Sequence, residues 1–188
     1  MGKNLRLSKN DYAYADNVKW ARDNLERIEF KDGVIIGLPN HKNRLYYNRE
    51  TGAINMAIKN KKTGTWRVSN SECRTSSTTK YDYRRLPGNG MQYGAHVIAA
   101  ISCGLYDGID PLGMCVNHKN YDIHDNRVCN LEVVTKRENY LHMKCRQLLK
   151  ILGKWQDGDS LTAKQAIEIL NRHRKIHTEV CEDLSAIA

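Results

Sequence analysis

Two short β-prone runs, MCVNH (114–118) and LEVVT (131–135), stand twelve residues apart, and the second leads directly into Thr135-Lys136-Arg137-Glu138. That tetrad has the T-x-x-E spacing of a helix capping box, in which threonine and glutamate side chains each satisfy an otherwise free backbone N–H. Leu141, Cys145, Leu148, Leu149 and Leu152 then recur at helical intervals. The segment therefore predicts a strand, a polar loop (KNYDIHDNRVCN), a second strand and a helix. His118 ends the first strand and Asn139 falls in the first turn of the helix, so a helix packed across the hairpin brings the two together. Asn130 stands where the loop re-enters the second strand, where its amide can bond loop backbone and hold the loop's shape.

The chain before this unit has a different pattern. Residues 11–30 space Val18, Ala21, Leu25 and Ile28 along one helical face, and that helix is expected to end near Lys31-Asp32-Gly33, with the glycine at positive φ. VIIGL, RLYYN, AINMAI and TWRVS follow. Turn signals separate them at Pro39-Asn40, Glu50-Thr51-Gly52 and Lys61-Lys62-Thr63-Gly64, which predicts a small antiparallel sheet. Residues 70–90 read as a connecting loop, and the run from Tyr93 as a helix stopping near Gly104. SLTAKQAIEILNRHRKIH (160–177) reads as a last helix capped by Ser160 or Thr162. The fold class is α+β. A basic helix and β-rich region covers 1–90, the strand–loop–strand–helix core 91–152, and a C-terminal helical segment 153–188.

Of the 188 residues, 30 are Lys or Arg and 21 Asp or Glu, a net charge of +9. Residues 1–90 hold 18 basic against 9 acidic side chains, and residues 91–188 hold 12 of each, so the excess lies wholly in the first half. A one-sided positive field suits nucleic acid, although a merely solubilising surface gives the same count. The first ten residues lack the apolar run of a signal peptide, and AHVIAAISCGL is too short for a bilayer span of roughly 20 residues. A soluble protein in the cytoplasm is the expectation. The six cysteines (73, 103, 115, 129, 145, 181) form no C-x-x-C pair, so reduced, mostly buried thiols are expected and structural zinc is not.

Asn117-His118, then Asn130, LEVVT and Asn139 resemble the motif of the HNH endonucleases, the ββα-metal or His-Me finger superfamily, and are closest to phage proteins of the homing-endonuclease type. AHVIAA, with His96, is similar to the helix that precedes the motif there. The resemblance spans about residues 93–142. It implies a small ββα-metal nuclease core that hydrolyses phosphodiesters of double-stranded DNA with Mg²⁺ (Mn²⁺ as a substitute), leaving a 5′-phosphate and a 3′-hydroxyl. It also implies, for a phage-encoded protein, the cytoplasm of the bacterial host. In that pattern His118 is the general base, Asn130 belongs with it in the catalytic group as the residue that shapes the loop, and Asn117 and Asn139 are metal ligands. Many relatives carry Asp at position 117. The neutral amide makes a weak site for free Mg²⁺, and replacing Asn117 by Asp is expected to lower the metal requirement.

Lys59, Lys61, Lys62, Arg67, Arg74, Arg84 and Arg85 are the candidates for the DNA backbone. His142 and His124 are near enough in sequence to the motif to reach a phosphate, and His96 reads as a packed helix residue. With one motif per chain a monomer would nick and a dimer would cut both strands. The alternative from another class is a non-catalytic nucleic-acid-binding protein on a degenerate HNH fold.

Overall fold

The structure is a computed structural model that describes residues 7–70, 74–75, 80–88 and 90–187. Helix α1 (Lys9–Asn24) starts at Ser8, whose backbone N–H and hydroxyl both donate to Asp11. It stops earlier than the helical spacing suggests, because Glu26–Phe30 forms strand β1. ERIEF alternates polar and apolar residues, so a period of two fits it as well as 3.6 does. Pairing with the fully buried strand β2 (Gly33–Gly37) decides between them, in the register Glu26↔Gly37 to Phe30↔Gly33. The turn itself corrects a second expectation: Lys31, not Gly33, takes the left-handed conformation, at φ 52°. Glycine is needed at 33 for space, since a Cβ there would lie 2.0 Å from the Tyr47 carbonyl oxygen.

Strands β3 (Asn43–Asn48), β4 (Ile54–Lys59) and β5 (Trp66–Val68) complete an antiparallel sheet in the order β1-β2-β3-β4-β5, as the alternation and turns predict. One face, with Ile36, Leu45, Tyr47 and Ile54, packs on the main core, while Ile35, Tyr46 and Ala57 gather Phe30, Trp66 and Val68 into a second cluster. The connecting loop expected over 70–90 holds two strands instead, and a third takes Tyr93 and Gly94 from the start of the expected helix. These are β6 (Arg74–Thr75), β7 (Asp82–Arg85) and β8 (Gln92–Gly94), paired in the order β6-β7-β8.

Helix α2 (Ala95–Ser102) is the pivot of the molecule. Seven of its eight residues are buried, which an all-round apolar helix achieves only inside a core. The cluster around it takes Val18 and Ala21 from α1, the inner face of the sheet, and Val116 and Leu131 from beyond. One core therefore crosses residue 90, where the composition shifts. The last two belong to β9 (Met114–His118) and β10 (Leu131–Thr135), an antiparallel hairpin with His118 opposite Leu131 and Asn117 opposite Glu132.

Helix α3 (Lys136–Ile151) begins where β10 ends. The capping box is made as read from sequence: Glu138 N–H donates to Thr135 Oγ1 at 3.1 Å, and Thr135 N–H to the Glu138 carboxylate at 2.8 Å. Helix α4 (Ala163–Ile187) runs longer than expected and is capped by Thr162, whose hydroxyl accepts the Gln165 N–H at 3.2 Å. Among the described residues no helix is long and apolar enough to cross a membrane. Cys103, Cys115, Cys129 and Cys145 are free thiols, with Cys145 buried and Cys129 exposed; Cys73 and the Cys181 side chain lie outside the described residues.

Candidate active site

The polar loop between β9 and β10 is held by its own amides. Asn130 Nδ2 donates to Asn120 Oδ1 and to the Asp125 carbonyl, each at 2.8 Å, and its Oδ1 accepts the Asn120 N–H at 3.0 Å. Those bonds use the side chain fully on loop architecture, and Asn130 is absent from the cleft described below. Its place in the catalytic group is thus corrected to the loop-shaping part of that expectation.

The sheet positions a second amide. The Tyr47 hydroxyl donates to the Asn126 carbonyl at 3.0 Å, and the β3–β4 turn packs so closely that a Cβ on Gly52 (φ 73°) would lie 2.7 Å from Asn126 carbonyl carbon. The Asn126 amide nitrogen donates to the His124 carbonyl at 3.2 Å, which turns its Oδ1 toward His118 Nε2, also at 3.2 Å. An amide oxygen only accepts, so the proton of a neutral His118 sits on Nε2 and the lone pair on Nδ1. No partner for that Nδ1 is found among the described residues. Sequence reasoning missed Asn126, whose only signal was its lying within a loop of amides.

His118 is 4% exposed, and burial lowers its pKa below that of an ordinary histidine. Its ring centroid lies 5.5 Å from that of His96, which packs against Tyr81 at 4.8 Å with the rings tilted by 49°. Burial, with the His118 ring adding to it, lowers the His96 pKa to about 3, so His96 is a packed neutral residue, as its helix pattern suggested. Burial lowers the pKa of His142 also. The unfolded chain takes protons on all three near pH 6.5 and the folded chain does not. Stability is therefore full above pH 6.5 and is lost as pH falls, down to about 3 for His96. The melting temperature should drop between pH 6.5 and 5, where few carboxylates titrate, and His96→Phe should flatten that drop; an equal drop in the variant would remove His96 from the effect.

Asn117, His118 and Asn139 line one cleft of about 500 Å³ between the hairpin and α3. Asn117 Nδ2 donates to Glu132 Oε1 at 2.8 Å across the strand pair, and the same oxygen accepts the Ala163 N–H at the start of α4 at 2.7 Å. A carboxylate only accepts, so the amide nitrogen faces Glu132 and the Asn117 carbonyl oxygen is turned away from it. Asn139 lies beside the Cys115 thiol in the lining of the cleft; burial pushes the pKa of that thiol up to about 11, an effect that Asn139 opposes, so the thiol stays neutral. A cation entering the cleft would meet neutral, hard amide oxygens there, a kind that suits Mg²⁺ better than softer metals. Among the described residues no three His, Cys, Asp or Glu side chains converge as a metal group.

The residues expected to touch DNA fall in different places. Arg74, Arg84 and Arg85 line a groove of about 520 Å³ with Tyr83, and the Arg84 guanidinium also donates to the Ile54 carbonyl at 3.2 Å. Lys59, Lys61, Lys62 and Arg67 lie on the β4–β5 hairpin, with Lys59 5.6 Å above the Trp66 ring and the others exposed. His124 is exposed and its Nδ1 lies 3.0 Å from Asp82. His142 is corrected: it is 0% exposed and shares its Nε2 with the Leu161 carbonyl at 2.7 Å, so it cannot reach a phosphate. The sequence reading also missed Lys136, Tyr140, Met143 and Arg146, which line the cleft. At steps of −3, +1, +4 and +7 from Asn139 they occupy its helical face, whereas His142 at +3 falls to the buried side.

Comparison of the chain with protein families, curated proteins and solved structures finds no match.

Proposed function

We propose that the chain is a metal-dependent DNA endonuclease of the HNH type, with β9, β10 and α3 as its ββα-metal core, similar to phage homing endonucleases. The observation that carries this reading is that Asn117, His118 and Asn139, separated by up to 22 positions, line one cleft on a hairpin followed by a helix. His118, neutral at physiological pH with its lone pair on Nδ1, accepts a proton from an attacking water as general base. Asn126 keeps that tautomer and takes up the developing positive charge through the Nε2–H bond. The carbonyl oxygens of Asn117 and Asn139 would hold Mg²⁺, or Mn²⁺ in its place. When bound, the cation supplies a Lewis acid that offsets charge on the scissile phosphate and the leaving 3′-oxygen.

The experiment is to incubate supercoiled plasmid with the protein in Mg²⁺, Mn²⁺ or a chelator and to sequence the ends. Cuts with 5′-phosphate and 3′-hydroxyl ends that need the metal are expected. DNA binding with no metal-dependent cut would favour the non-catalytic alternative.

The basic residues of the sheet and the arginine groove then follow the DNA backbone. Each phosphate they neutralise contributes about −0.9 to the slope of log affinity against log salt. Replacing Lys61, Lys62 or Arg67 by Glu should flatten that slope, measured by fluorescence anisotropy on uncut DNA. A slope that stays unchanged in all three variants would leave the hairpin a solubilising surface.

A further inference from the structure

Two residues lining the cleft carry positive charge, Lys136 and Arg146. The Lys136 ammonium is paired with Asp11. Arg146 has neither a carboxylate nor a hydrogen-bond acceptor at its guanidinium among the described residues, and its Nε is buried without a partner. It is held by aromatic packing. The guanidinium carbon lies 4.6 Å from the Tyr121 ring centroid and 5.9 Å from that of Trp155. Tyr121 lies flat on the His142 ring, at 4.2 Å and 9°, and its hydroxyl donates to the His142 carbonyl at 2.6 Å. His142 is in turn fixed to the Leu161 carbonyl. Tyr121 reaches this place with its backbone at φ 64°, a conformation that side-chain-bearing residues adopt only when their surroundings hold them there.

A guanidinium stacked on two aromatic rings is fixed in direction and keeps its charge. With no counter-ion among the described residues, its binding capacity is left for an anion that enters the cleft. The other groups facing that anion are the neutral amides of Asn117 and Asn139, the neutral imidazole of His118, and Lys136, already paired. The planar fork of arginine matches two oxygens of one phosphate.

We infer that Arg146 is the phosphate-contacting residue of the cleft, binding the non-bridging oxygens of a phosphodiester beside Asn117, His118 and Asn139, and that His142 and Tyr121 are the stack that aims it. The inference rests on the nuclease reading only for naming the anion as a nucleic-acid strand.

The test titrates the intact protein, without metal, with dithymidine monophosphate, which carries a single phosphodiester. The ¹⁵N–¹H signals of the Trp155 indole and Arg146 Nε–H are followed. Both should move to saturation while the Trp20 indole stays still. Arg146→Gln should abolish the Trp155 response, and Arg146→Lys should retain a weaker one, since an ammonium offers charge without the fork. In the same variants, single-turnover cleavage of DNA should fall roughly 10²-fold with Gln, in line with loss of one fixed donor at a developing anion, and recover in part with Lys. No Trp155 response in the native protein up to the solubility of the dinucleotide, or an undiminished response in Arg146→Gln, overturns the inference. A normal response in a protein that cuts no DNA with Mg²⁺ would uphold Arg146 as a phosphate contact and overturn the nuclease reading instead.

Discussion

His118→Ala is expected to lower single-turnover DNA cleavage by roughly 10²–10⁴-fold, the usual contribution of a positioned general base, while affinity for uncut DNA stays nearly unchanged. On the proposed nuclease reading affinity would come chiefly from phosphate contacts made by other residues, so the two measurements separate. The pH profile adds a sign. The base works when neutral, and burial holds the His118 pKa below that of an ordinary histidine. Cleavage should therefore keep its plateau rate as pH is lowered from 8 toward 6.5, and fall only below the ordinary histidine range. Asn126→Ala frees the Nε2–H and with it the tautomer, so it should lose part of the rate and shift the profile, with Asn126→Asp moving the fall to higher pH by stabilising the imidazolium. Undiminished cleavage by His118→Ala would remove the residue from the mechanism. A His118→Asn variant with an unaltered melting temperature guards against a trivial loss of fold at a side chain only 4% exposed.

The second large effect concerns Asn117 and Glu132. The amide at 117 donates to the Glu132 carboxylate at 2.8 Å, so Asn117→Asp alone would place two carboxylates where one hydrogen bond now stands. Such a pair resists double ionisation, and one member keeps its proton. This alters what a charged ligand would do. Instead of the simple gain expected from sequence, the single variant should melt lower and gain little metal affinity. In Asn117→Asp/Glu132→Gln only one carboxylate is left, and the introduced glutamine can turn its amide nitrogen to donate to the introduced aspartate, giving up the Ala163 N–H that the native oxygen accepts. Calorimetry without DNA should detect little Mg²⁺ binding to the native protein and clear binding to the double variant. The double variant should also need less metal for half-maximal cleavage. Glu132→Ala leaves the Asn117 amide unaimed, which should cost roughly 10–100-fold in metal affinity or activity, the usual loss when a ligand's support is removed. Asn139→Ala should raise the metal requirement or stop cleavage. If the double variant binds metal like the native protein and Asn117→Ala stays fully active, residue 117 is no ligand.

The parts of this chain that could be read early are those whose physics is local. Thr135 and Glu138 are three residues apart, and their reciprocal bonds form wherever a helix starts there. MCVNH and LEVVT pair because a hairpin needs only its own two strands. Together these brought Asn117, His118 and Asn139 to one cleft in expectation and in the structure. The failures have a different character. ERIEF satisfies a helical and a strand period alike, and only the neighbouring buried strand β2 chooses. His142 stands one turn from Asn139, yet the Leu161 carbonyl on a separate segment and the Tyr121 ring cover it.

The sequence by itself determined the order of elements around the cleft, the polar residues at its ends and the helical face that Asn139 shares with Arg146. Tertiary structure decided how those residues are aimed. Asn126 faces His118 because the sheet, through Tyr47 and the turn at Gly52, presses on the loop. Asn117 turns its oxygen away from Glu132, which also receives the start of α4, 31 residues beyond it. Arg146 is fixed by a stack of Tyr121 and His142 that closes only when residue 161 comes alongside. An amide or an imidazole takes its direction from the partner that fills its hydrogen bonds, and this guanidinium from the rings on which it packs. Here those partners are themselves held by chain segments that no local periodicity links to the motif, the sheet at Tyr47 and Gly52 and the stretch at Leu161 and Ala163.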